Sequence, residues 1–119
     1  MARASLTTQQ VTYAGKTSAS LTYTAPTGAG ANGGWSFGNT GDEILIVKNT
    51  DTSSKTLTMD VAGSIGGLTP ADTTVTVPAA ASGAPGYAFV HFPVEAFSGT
   101  AGADIDNVTG VTAAVIKHP

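Results

Sequence analysis

Two histidines, eight carboxylates and no cysteine are the groups from which this 119-residue chain would have to build a reactive site. A nucleophile needs a base beside it. His118 is the penultimate residue and reads as solvated. His91 lies in the run Tyr87-Ala-Phe-Val-His-Phe92, where alternation predicts a strand, so it reads as a packed or interface residue rather than a base. Without cysteine there is no thiol nucleophile and no thiolate metal ligand, and two histidines make a poor zinc site. The chain has no Gly-x-Ser-x-Gly elbow, no phosphate-cradling glycine loop ending in Lys-Ser or Lys-Thr, and no His-Glu-x-x-His. Glycoside hydrolysis needs two carboxyls facing each other across a cleft. Here Asp42 and Glu43 open a strand and Glu95 sits in a loop, a poor basis for such a pair. Asp104, Asp106 and Asn107 place oxygens as a calcium loop begins, but the later glutamate of an EF-hand is missing. They read as a polar turn before the last strand. The expectation is a protein that is not an enzyme, with no cofactor and no metal.

The aromatic residues allow a second kind of chemistry. Tyr13, Tyr23, Trp35 and Phe37 supply flat faces that stack on sugars, large side chains that anchor a protein interface, or plain core packing. Residue types alone leave all three open.

The elements that would carry these groups are strands. Thr and Val are abundant, and Gly and Pro recur too often for a helix of any length. Strands are expected over 7–13, 20–24, 43–48, 55–61, 73–77, 86–92 and 111–117, with a short one over 103–106. Such spacing predicts an all-β fold: an antiparallel β-sandwich or jelly-roll-like barrel of about seven to eight strands. The stretch from Glu43 to Val61 reads as two strands joined by the polar turn 49–54, a hairpin. Its first run, Ile44 to Val47, is unbroken apolar, as in a strand covered on both faces. In its second run Leu57, Met59 and Val61 alternate with polar residues. Alternation nominates Ile44, Ile46, Leu57, Met59, Val61, Leu68, Val75, Val77, Phe89, Val111, Val115 and either Tyr87 or His91 as inward-facing. The small-residue stretch 25–34 reads as a flexible connector leading to Trp35-Ser-Phe37. A division follows within what is overall a single domain. Residues 1–40 form an extended N-terminal arm with a Gly/Ala-rich loop, and 41–119 form the β-sandwich core.

Only 11% of the residues are charged, and the net charge is −3. That leaves no basic patch for nucleic acid and no polybasic anchor for lipid. A surface of Thr, Ser, Gly, Ala and Asn repels like copies weakly and suits a protein that works against other protein. The N-terminus has one basic residue and no apolar run, so no secretory signal is expected, and no window approaches the roughly 18 apolar residues of a membrane helix.

From Asp42 onward, several segments occur in a recognisable order. Ile44-Leu-Ile-Val-Lys-Asn49 is followed by Thr56-Leu-Thr-Met-Asp-Val61, then by Gly67-Leu-Thr and Asp72-Thr-Thr-Val-Thr-Val-Pro-Ala79. Phe92-Pro-Val94 and Thr109-Gly-Val-Thr-Ala-Ala-Val-Ile116 close the series. In this order the chain resembles the small β-sandwich capsid decoration, or cement, proteins and related minor head proteins of tailed bacteriophages, over about two-thirds of its length. The resemblance implies that the second segment pairs with the first. It implies a structural virion protein on the capsid exterior, made in the host cytoplasm, that binds the phage major capsid protein across subunit boundaries. It also implies a homo-oligomer, commonly a trimer. The N-terminal third lies outside the pattern, so capsid or oligomer contacts are expected there, at Leu6, Val11, Tyr13, Trp35 and Phe37. The alternatives are a carbohydrate-binding or host-adhesion module on the virion surface, and a head-tail or tail structural component.

Overall fold

A computed structural model describes residues 3–11, 21–30, 33–60, 73–92 and 99–117. Within them the chain is all-β. The strands are β1 (Ala4–Ser5), β2 (Thr8–Gln10), β3 (Trp35–Asn39), β4 (Glu43–Asn49), β5 (Lys55–Asp60), β6 (Thr73–Val77), β7 (Gly86–His91), β8 (Gly99–Ile105) and β9 (Val111–Lys117). They form two sheets, ordered β1-β3-β8-β5-β6 and β2-β9-β4-β7. The sheets are mixed rather than purely antiparallel: β1 runs parallel to β3, and β2 parallel to β9.

The core is the set of side chains each sheet turns toward the other. Trp35, Phe37, Leu57, Met59, Val77, Ala101, Ala103 and Ile105 come from the first sheet, and Leu45, Val47, Ala88, Val90, Val111, Ala113 and Val115 from the second. Phe92, just past β7, joins them, with its ring edge-on to Phe37 at 5.2 Å and 89°. Each large apolar side chain buried in this way contributes about 1.5–3 kcal/mol.

Three expectations from the sequence are corrected here. The first is the hairpin. β4 pairs with β7 and β9, whereas β5 pairs with β6 and β8. The turn after β4 therefore carries the chain from one sheet to the other. Leu45 and Val47 face Leu57 and Met59 across the core instead of sitting beside them. The turn chemistry itself is as expected: Asn49 Oδ1 accepts from the Asp51 amide at 3.0 Å, and Asp51 Oδ1 from the Thr52 amide at 2.9 Å. Buried Lys55 closes the turn on Asp51 Oδ2 at 2.6 Å. The Lys55 ammonium, aided by the Thr52 amide, holds the Asp51 carboxyl below its ordinary range.

The second correction is phase. In β7 the inward residues are Ala88 and Val90, so Tyr87, Phe89 and His91 all face outward, and Phe89 is 68% exposed. Ile44 likewise faces out, although Ile46 on the same side is buried. A one-residue change of phase exchanges the faces of a whole strand. Both phases of Tyr87-Ala-Phe-Val-His-Phe92 offer apolar residues, so the sequence pattern did not choose between them. Val75 is half-buried against the core, and Val61 and Leu68 lie outside the described residues.

The third is the N-terminal third. Its extended segment 3–11 is laid along the edges of both sheets. β1 lies beside β3, the Leu6 amide donates to Ser36 O at 2.8 Å, and the chain then crosses to β2 beside β9, where the Val11 amide donates to Lys117 O at 2.7 Å. This segment covers one edge of each sheet. Of the expected strand 7–13 the described part holds β2, and β1 precedes it; of the expected strand 20–24 the described part holds a single bridge from Thr24 to Ala113; residues 12, 13 and 20 lie outside the described residues; the expected short strand 103–106 is the longer β8. In the described residues before Trp35, Gly28 N donates to Gly33 O and Gly30 N to Ile105 O, both at 2.9 Å. A Cβ on Gly34 would lie 1.9 Å from Ala103 O, which is why β3 and β8 close here only around a glycine.

The link from β3 to β4 is held by a buried acid. Glu43 accepts from the Thr40 amide at 2.7 Å and from Thr40 Oγ1. Burial pushes the Glu43 carboxyl up. The bonds from Thr40 and from its own amide, with the Lys117 charge, outweigh this and leave its pKa below the ordinary value. The folded state therefore holds the proton less tightly than the unfolded chain, so Glu43 stabilises the fold above its unfolded pKa of about 4.3. That stabilisation is lost as pH falls through the lower folded pKa. Urea midpoints should drop below about pH 4, and Glu43→Gln should flatten that drop; an unchanged profile in the variant would show that Glu43 does not carry it.

Candidate functional site

The outer faces of the two sheets differ sharply in chemistry. On the first sheet the outward residues include Ser36 and Gly38 of β3, Thr56 and Thr58 of β5, Thr74 and Thr76 of β6, and Gly102 and Asp104 of β8. Thr58 stands opposite both Thr74 and Asp104. Arg3 lies across this face and grips Asp104 at 2.7 and 3.0 Å. The face is one of small hydroxyl groups and a neutralised ion pair.

The second sheet's outer face is apolar and aromatic. The register sets Ile44 between His91 and Ile116, Ile46 between Phe89 and Ala114, and Lys48 between Tyr87 and Thr112. Phe89, Ile44 and Tyr87 are 68%, 38% and 37% exposed, and these three account for most of the large exposed apolar side chains among the described residues. The Tyr87 and Phe89 rings stack at 6.2 Å and 22°. Lys48 Nζ sits 5.3 Å from the Tyr23 ring centroid. Burial, and then the neighbouring Tyr87, push the Tyr23 phenol up. His91 Nε2 lies 2.6 Å from Gly41 O. Together these side chains form an exposed apolar and aromatic patch on an otherwise weakly charged domain.

The residues nominated as contacts from the sequence are elsewhere. Trp35 is fully buried, with Nε1 donating to Thr24 O at 2.8 Å, and Phe37 is buried against Phe92. Leu6 is buried between the sheets as part of the same core, and Val11 is half-buried. Tyr13 lies outside the described residues. Trp35, Phe37 and Leu6 are therefore corrected from contact anchors to core, because an anchor already covered by its own fold has no surface to offer. The exposed aromatics are instead Tyr87 and Phe89. Their signal in the sequence is an aromatic at every second position of β7, and alternation alone leaves open which phase faces outward.

The weak metal candidates are each engaged within the protein. Asp104 holds Arg3, Asp106 Oδ1 accepts from the Thr56 amide at 2.9 Å, and Asn107 Oδ1 from the Thr109 amide at 2.8 Å. Among the described residues no three His, Cys, Asp or Glu gather as a metal site would require. Glu43, the first residue of β4, is buried, whereas Asp42 just before the strand is exposed. His118 and Glu95 lie outside the described residues. A cavity of about 330 Å³ opens by Thr7, Gln9, Thr22 and Thr24. The Gln9 amide is already spent there, bonded to both the N–H and the C=O of Thr22 at 2.9 Å. Among the described residues no helix is long and apolar enough to cross a membrane.

Comparison with protein-family models, with curated proteins and with solved structures returned no match to this chain.

Proposed function

We propose that this is a non-enzymatic structural protein that holds protein surfaces together on the outside of a phage capsid, bridging neighbouring major capsid subunits. The observation that carries the protein-binding part is the polarised sandwich. One outer face is hydroxyl-rich, and the other exposes Ile44, Tyr87 and Phe89 in one patch. The capsid as the setting rests on the order of strand segments that resembles the decoration proteins. A protein of this kind acts mechanically: by binding only the mature lattice it stabilises that lattice through mass action, and many copies sum to a large effect.

Phe89 is the residue on which this reading is tested. An exposed aromatic at the centre of an interface costs about 2 kcal/mol or more when truncated. In co-sedimentation with expanded capsids prepared without the protein, Phe89→Glu should lose occupancy by at least about thirtyfold while circular dichroism stays that of the wild type. Full occupancy by the variant would sink the assignment of this face.

A carbohydrate-binding role is the second reading, favoured by the near-parallel stack of Tyr87 and Phe89. An exposed aromatic face, such as that of Phe89, is what a sugar ring stacks on. A glycan array with no hits for the wild type would remove it.

A further inference from the structure

β7 is the last strand of its sheet, and among the described residues only β4 pairs with it. Its residues Gly86–His91 include no Lys, Arg, Asp, Glu or Pro, and their register with β4 is unbroken. Charge, proline and bulges are the devices that ordinarily keep an edge strand from pairing further. The opposite edges are treated differently, since the segment 3–11 lies along β3 and β9. The exposure of Phe89 has the same origin. Ile46 stands between Phe89 and Ala114 and is buried, whereas Phe89 has a cross-strand neighbour on one side only and is 68% exposed. The main chain and the side chains of β7 lack the same thing, a strand on the outer side. We infer that this strand is β7 of a second copy, added antiparallel about a two-fold axis at Phe89. The inference rests on the reading of the Tyr87–Phe89 face as protein-binding, and it names what lies beside that face.

The residues of β7 select this partner and this register. In an antiparallel pair centred on Phe89, position 89 stands opposite itself, 88 opposite 90, and 87 opposite 91. Outward residues then meet only outward residues, as a shared sheet face requires. On the outer face Phe89 meets the partner's Phe89, and Tyr87 meets the partner's His91 twice by symmetry. Aromatic pairs are among the favourable cross-strand neighbours. On the inner face Ala88 meets the partner's Val90, a small residue against a larger one, and the two cores continue into each other. The register of β4 and β9 then gives one apolar row: Ala114, Ile46, Phe89, and the partner's Phe89, Ile46 and Ala114. Lys48 falls in line with the partner's His91 and Ile44, not with the partner's Lys48, so like charges stay apart. Centring on Ala88 instead sets Pro85, which has no N–H, opposite the partner's His91 and Gly86 opposite the partner's Val90. The strand is therefore self-complementary about Phe89, as an isologous contact requires.

β6 is the other edge without a further strand among the described residues, and it lacks the second signal. Its exposed side chains are threonines, and Val77 is buried. A single added strand contact falls short of the roughly 800 Å² per partner of a standard interface, so the pair is weak in solution and forms at high local concentration. Joining edge to edge leaves the outer face uncovered. Two copies present one widened apolar face, which suits a protein that bridges neighbouring surfaces.

Sedimentation equilibrium and residue-resolved amide exchange of the full chain, up to about 1 mM protein, test the proposal. The wild type should show a monomer–dimer equilibrium. As concentration rises, every second amide from Tyr87 to His91 should exchange more slowly, because alternate N–H groups of an edge strand point away from the sheet. Phe89→Lys places two ammonium groups at the axis and should raise the dissociation constant at least about tenfold. Thr76→Lys on the β6 edge should stay within about threefold of the wild type. Ile44→Lys, on the same face but one strand in, should also stay within about threefold, whereas face-to-face packing would be disrupted by it. The exchange pattern is read on the wild type and so holds whatever the variants do. A wild type that stays monomeric, one that sediments as a trimer, a dimer whose β7 amides exchange as in the monomer, or an Ile44→Lys protein as weak as Phe89→Lys would each overturn the edge pair. Capsid co-sedimentation separates this from the functional reading. A monomeric wild type that binds capsids defeats the pair alone, whereas a pair with protected β7 amides that ignores capsids leaves the pair standing and defeats the capsid role.

Discussion

Trp35→Ala should destabilise the fold by about 4 kcal/mol, within the 3–5 kcal/mol typical of removing a buried large aromatic. Two losses combine. The indole is fully buried on the inner face of β3, so truncation leaves a void between β3 and the strands of the facing sheet. Its Nε1 also donates to Thr24 O at 2.8 Å, and this bond ties the 21–24 segment to the core. Trp35→Phe separates the two, keeping most of the volume and losing the bond, at about 1 kcal/mol for the bond itself. Whole-domain stabilities are about 5–15 kcal/mol, so the alanine variant should unfold at much lower urea with its slope unchanged. Phe89→Ala on the outer face should shift the same midpoint little. A Trp35→Ala protein as stable as the wild type would mean that the side chain does not fill the core.

Asn49→Ala should cost about 2–4 kcal/mol, large for the removal of one small polar side chain. Asn49 is fully buried at the end of β4, and its amide is saturated. Nδ2 donates to Ser53 O at 2.9 Å and Pro78 O at 3.1 Å, and Oδ1 accepts from the Asp51 amide at 3.0 Å. Each buried group left without its partner costs about 1–3 kcal/mol. The bonds also join three pieces of chain: the end of β4, the crossover turn and the segment after β6. Asn49→Asp is the sharper probe. It keeps the acceptor for Asp51 but turns a carboxylate oxygen toward two carbonyls, so it should be at least as destabilising near neutral pH and partly recover when the acid is protonated. Unfolding midpoints at pH 7 and pH 4 would show this, and equal stability of Asn49→Ala and wild type would refute the role of the amide.

These two residues also show where reading the chain as a string of strands succeeds and fails. Asn49 was legible as part of a turn, because Asn, Asp, Thr and Ser in succession bond their own backbone whatever the tertiary context. That this turn crosses between sheets was not legible. A five-residue polar link serves a hairpin or an arch equally, and the choice depends on whether the flanking apolar rows pair side by side or face each other. Trp35 sat in glycine-rich surroundings that read as connector. Only its pairing with β8 on one side and β1 on the other makes it a strand. Local propensity is weak there and tertiary burial overrides it.

By itself the sequence determined that this is an all-β protein. It determined most strand positions, including β6 and β9 at their observed bounds, and a surface poor in charge. Those properties follow from period-two alternation, Thr and Val content and turn residues, all of which act within a few residues of one another. The tertiary structure alone decided three things: the partner of each strand, the face each β7 aromatic occupies, and the covering of two sheet edges by the N-terminal segment. Each depends on contacts between residues distant in the chain, and in β7 the two possible phases are nearly equal in local hydrophobicity. The candidate site lay in that undecided phase. Tyr87 and Phe89 face outward because Ala88, Val90 and Phe92 took the core.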